Sequence, residues 1–99
     1  MKTEEILKLL KENQFKSNSF EKMTWVTQEI WDQLKEVDLK YTNPRRDYLG
    51  IKIVYKNNFD EKYFFVEEYA DDGNQEICRF KEVKPVEKTV IIYEERKTN

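Results

Sequence analysis

Hydrophobic positions change their period near residue 42. Before it they follow a helical wheel. Ile6, Leu7, Leu9 and Leu10 share one arc, while Glu4, Lys8, Lys11 and Glu12 lie opposite, so the spacing predicts a first helix over 4–14. Thr3 is its expected cap, with Glu4 and Glu5 at the positive end of the helix dipole. Asn18 and Glu21 have capping-box spacing ahead of a second helical pattern. There Phe20, Met23, Val26, Thr27, Ile30, Trp31, Leu34 and Val37 fall within about 140° of arc, a stripe suited to a core. Trp25 alone among the large apolar residues falls on the polar side. A second reading of this stretch breaks the chain near Thr24 and lets Thr27 cap a shorter helix, with Val26 and Trp31 as a hydrophobic staple. The longer helix is the expectation carried forward.

Asn43-Pro44-Arg45-Arg46-Asp47 ends helical geometry, and alternation follows it. Leu49, Ile51, Ile53 and Tyr55 alternate with Gly50, Lys52 and Lys56, and Tyr63, Phe65, Glu67 and Tyr69 alternate with Phe64, Val66 and Glu68. Further strands read as 75–83 and 88–96. Asn57-Asn58 and Asp71-Asp72-Gly73-Asn74 carry turn chemistry, because Asn and Gly tolerate positive φ. The expected fold is α+β: two N-terminal helices packed on one face of a four-stranded antiparallel meander, in one domain over 1–99. Apolar residues fall on both sheet faces, with Val54, Phe64 and Val66 read as opposing Ile53, Tyr63 and Phe65. Two helices cover only one face. A protein partner or a second copy of the chain is therefore expected on the other.

Composition narrows the chemistry. In 99 residues there is no histidine and one cysteine, Cys78, so Ser-His-Asp and Cys-His arrangements are excluded and zinc loses its commonest nitrogen ligand. No cofactor is implied. Ser19-Phe20-Glu21-Lys22 matches Ser-x-x-Lys without the scaffold that acyl transfer needs, and Asp71-Asp72-Gly73-Asn74 lacks the spacing of a calcium loop. Cys78 beside Ile77 and Phe80 reads as core filler. A lone cysteine and the absence of a long apolar run give a cytoplasmic, membrane-free expectation. Ala, Gly and Pro supply only five residues against 42 for Lys, Asn, Ile, Tyr, Phe and Met, the bias of an AT-rich genome.

Net charge is −2, but residues 57–76 carry −6 and the remainder +4. With no clustered excess of Lys and Arg, direct nucleic-acid binding is not expected. The residues singled out for partner contact are Trp25, Phe64 and Val66 for their aromatic or apolar surface, Arg45 and Arg46 as an anion clamp, and Glu67, Glu68, Asp71 and Asp72 as an acidic hairpin. Adjacent Glu67 and Glu68 point to opposite faces of a strand and cannot act as an acid–base pair; they read as a solvated sheet edge. The functional expectation is a non-enzymatic, stoichiometric binding protein, specifically a phage- or plasmid-borne inhibitor of a host enzyme or defence system. The alternative is a winged-helix-like DNA-binding regulator with 27–39 as recognition helix. Its four acids and one base would repel phosphate.

Overall fold

In the computed structural model the described residues are 1–45, 48–71, 74–87 and 93–95, with side chains excluded at 43–45, 48, 71 and 74. Helix α1 spans Thr3–Asn13 and buries Ile6 and Leu10. Its start differs from the expected one. Thr3 is the first helical residue rather than the cap, and its backbone N–H and hydroxyl donate to the Asp60 carboxylate at 2.8 and 2.9 Å. An acid from a distant loop thus satisfies an orphan helical N–H and complements the dipole.

The long second helix does not form. A single 3-10 turn, Phe20–Lys22, precedes helix α2, Gln28–Gln33, which Thr27 caps through its side chain to Ile30 N–H at 3.4 Å. The break falls where the shorter reading put it. From Leu34 the chain becomes strand β1, Leu34–Arg45, so the end of the expected helical stripe, Leu34 to Val37, is strand. Strands β2 (Tyr48–Asn57), β3 (Lys62–Asp71) and β4 (Asn74–Val83) complete an antiparallel sheet in the order β1-β2-β3-β4. The physical reason is cooperative pairing. Leu34 through Thr42 find partners from Asn57 back to Gly50, with one register shift between Glu36 and Asp38, and that ladder outweighs local helix preference. The fold is α+β with a four-stranded open sheet, one full helix and one short one. The expected strand 88–96 lies outside the described residues except for 93–95, which are irregular.

Register decides the faces. The β2–β3 loop holds four residues, Asn58 to Glu61, because Asn57 pairs with Lys62, and Glu61 takes the positive φ of 57° expected of an Asn. Odd positions of β2 therefore pair with even positions of β3, Tyr55 with Phe64 and Ile53 with Val66, and even with odd, Val54 with Phe65. Val54 does not share a face with Phe64 and Val66, as the sequence reading had it. The helical face collects Ile53, Tyr55, Phe64, Val66 and Phe80; Val54, Tyr63, Phe65, Glu67 and Tyr69 lie on the other.

Phe20 is the centre of the core. Its ring lies 5.0 Å from Trp31, 5.6 Å from Tyr55, 6.0 Å from Trp25 and 6.2 Å from Phe64, mostly tilted or edge-on, the arrangement the ring quadrupole favours. Asn57, fully buried, ties the N-terminus to the sheet: its amide donates to Met1 O at 3.0 Å and Thr3 Oγ1 at 3.1 Å and accepts from Gln33 at 3.1 Å. The Asn57 side chain is thereby paired at both its amide nitrogen and its oxygen, as burial demands.

Candidate protein interface

Helices and strands differ in length, and that mismatch leaves part of the sheet uncovered. The 11 residues of α1 reach about 16 Å at helical rise, whereas ten strand residues reach about 33 Å. Asp60 holds α1 at the β2–β3 loop, and Gln14 binds Ile77 O at 3.1 Å partway along β4. Ile77, Glu68, Ile51 and Tyr41 form one row across the sheet, Leu49 and Ala70 lie one pair beyond it, and Leu39 and Tyr41 lie on the edge strand β1. Leu39, Tyr41 and Leu49 lie on the helical face of β1 and β2, yet are 41%, 71% and 57% exposed. Half-buried Ile51 sits between them, paired with Tyr41, and exposed Ala70 pairs with Leu49. Together they form one apolar corner. Contiguous exposed apolar patches are uncommon on monomers, which makes this corner the candidate contact surface.

The residues singled out from sequence are scattered by the fold. Phe64 and Val66 are buried in the core beneath the helical layer and present no surface. Trp25 is half-buried against Phe20, so it packs inward rather than standing on a polar helix face. The segment 18–26 is not a continuous helix, and the arc that would have exposed Trp25 does not exist. Arg45 ends β1 and Asp71 ends β3, both at positions whose side chains are not described; Arg46 and Asp72 lie outside the described residues.

Glu67 and Glu68 do point to opposite faces, but neither is a solvated edge group, because β3 is an interior strand. Glu67 is 6% exposed and accepts from Tyr69 Oη at 3.0 Å. Glu68 faces the helical side, accepting from Phe20 N–H at 2.7 Å and from Gln75 at 3.2 Å. Burial pushes the Glu68 carboxyl above its ordinary range, and those two hydrogen bonds pull back only part of the way. This carboxylate anchors the 3-10 turn to the sheet.

The face away from the helices is closed by the sheet's own cations. Lys52 Nζ lies 4.2 Å from the Phe65 ring centroid and the Arg79 guanidinium 5.6 Å away, and Phe65 is 4% exposed. Both cations lie over the ring, where its quadrupole attracts them. The exposed apolar side chains of the sheet lie at the corner and not on this face. Cys78 sits at the β3–β4 register shift and not in the core; burial and the neighbouring Glu76 carboxylate push its thiol up to about 11. It is protonated and a poor nucleophile at neutral pH.

Among the described residues, no group of three or more Cys, Asp and Glu side chains is placed to hold a metal ion, and no helix is long and apolar enough to cross a membrane. Comparisons of the chain with protein-family models, with curated proteins and with solved structures find no match. The corner was partly legible in sequence: Leu39, Lys40, Tyr41 and Thr42 alternate beyond the end of the helical stripe, a strand signal masked by the stripe before it.

Proposed function

We propose that this chain is a non-enzymatic protein-binding module whose contact surface is the apolar corner of Leu39, Tyr41, Leu49, Ile51 and Ala70. The observation that carries the reading is the exposure of three large apolar side chains on the face that elsewhere builds the core. Tyr41 supplies the amphipathic ring that interface centres favour. The finer reading, a phage- or plasmid-borne stoichiometric inhibitor of a host enzyme, is supported by the AT-rich bias and the small size. DNA recognition through a helix over 27–39 has no geometric support, since only Gln28–Gln33 is helical there and β1 follows directly.

The test compares immobilised wild type with the triple variant Leu39→Ser/Tyr41→Ser/Leu49→Ser in lysate of a low-GC bacterium. A protein held stoichiometrically by the first and lost by the folded second supports the reading. Equal retention by both, or retention of nothing, overturns it. If the captured protein is an enzyme, titration to zero activity at one equivalent supports inhibition.

A further inference from the structure

Among the described residues, no strand pairs with the outer edge of β1. The opposite edge of the sheet, on β4, is partly engaged, since Gln14 binds the Ile77 carbonyl. A long open edge presents unpaired backbone groups to any strand that fits it. What fits is written in the edge itself. Val37-Asp38-Leu39-Lys40-Tyr41 reads apolar, acidic, apolar, basic, apolar, a pattern that matches its own antiparallel reverse. We infer that β1 pairs antiparallel with β1 of a second copy about a two-fold axis at Leu39, joining two sheets into one eight-stranded sheet.

In that register Leu39 faces its own counterpart and Asp38 of each copy lies opposite Lys40 of the other, while Val37, the extra residue at the β1 register shift, comes next to Tyr41. Directly opposed unlike charges and apolar pairs are the stabilising units of an antiparallel ladder. The neighbouring registers are worse. An axis at Asp38 sets that acid against itself, and an axis at Lys40 does the same with two ammonium groups. The structure leaves all five side chains available: Val37 is 44% exposed, Leu39 and Tyr41 are exposed, and Asp38 and Lys40 make only a mutual contact at 3.8 Å in which both stay largely in water. A two-fold axis also makes the contact self-limiting, because each edge is consumed by its partner. Lys40 and Asp38 project from the face opposite Leu39 and Tyr41, so pairing leaves the two apolar corners side by side on one continuous surface.

The inference does not depend on the existence of another protein partner, and its test leaves the apolar corner untouched. The 99-residue chain is examined by sedimentation equilibrium as wild type, Asp38→Lys, Lys40→Asp and the double exchange Asp38→Lys/Lys40→Asp, each checked for an unchanged circular dichroism spectrum. Wild type should show a concentration-dependent dimer, each single reversal should raise the dimer dissociation constant by about tenfold or more, and the double exchange should restore it. A strict monomer up to roughly 1 mM overturns the inference. So does a dimer indifferent to the single reversals, or one that the double exchange fails to rescue.

Discussion

Trp25 shows how a residue's role follows from the backbone around it. On a continuous helix its ring would face solvent, but the break after Lys22 turns it onto Phe20, and its indole Nε1 is buried with no hydrogen-bond partner among the described residues. The ring stabilises while the N–H costs. Trp25→Ala should therefore lower stability by about 3 kcal/mol, and Trp25→Phe by less than about 1.5 kcal/mol, measured as denaturant midpoints at constant slope. Two carboxylates pull pH dependence in opposite directions. Burial holds the Glu68 pKa above its unfolded value, so the stability linked to it is complete below the ordinary carboxylate range and is lost as pH rises through the folded value. For Asp60, burial pushes up, but the Thr3 hydrogen bonds and Lys62 win and depress the pKa. Its contribution is present above the ordinary range and lost as pH falls through the depressed value. Unfolding midpoints from about pH 3 to about pH 7 should show Glu68→Gln removing part of the loss on the rising side and Asp60→Asn removing part of the loss on the acid side. If each variant tracks wild type in parallel across that range, these assignments fail.

At the scale of elements, the decisive event is the passage from α2 to β1 without a loop. Gln33 ends the helix and also donates to Met1 O at 2.6 Å, while Leu34 pairs with Asn57, so the switch is clamped from both sides. The β1–β2 ribbon depends on close approach at Gly50. A Cβ there would run into the Thr42 hydroxyl and approach the Tyr69 ring at 3.0 Å, and Gly50 is buried between them. Gly50→Ala should cost about 1 to 3 kcal/mol by overpacking, seen as a lowered unfolding midpoint; a rise would mean that Thr42 moves aside and chain entropy dominates. The four-residue β2–β3 loop sets the register of the two central strands. Asn57 is part of that reason: its side chain is committed to Met1, Thr3 and Gln33 at the end of β2, so the turn begins after it.

Across the molecule, the described helices leave the Leu39, Tyr41 and Leu49 corner of the sheet exposed, and the two regions should respond differently to substitution. Phe64→Ala, beneath the helical layer, should cost about 3 to 5 kcal/mol; Tyr41→Ser and Leu49→Ser, at the open corner, should each change stability by no more than about 0.5 kcal/mol. Comparable losses in all three would show the corner to be part of the core. Strand periodicity over 48–57, 62–71 and 74–83, and α1, were legible because each is a long run whose apolar side repeats with a single period. The same sequence also ruled out histidine-based chemistry through composition alone. From Leu34 to Val37 the helical stripe of the sequence ran on, and backbone pairing with β2 chose strand there, while Gln28–Gln33 stayed helical. Which residues share a face, whether Trp25 points in, and that Leu39, Tyr41 and Leu49 gather at an uncovered corner all depend on register and on the relative reach of helix and strand. Those are properties of distant segments brought together, so only the tertiary structure decided them.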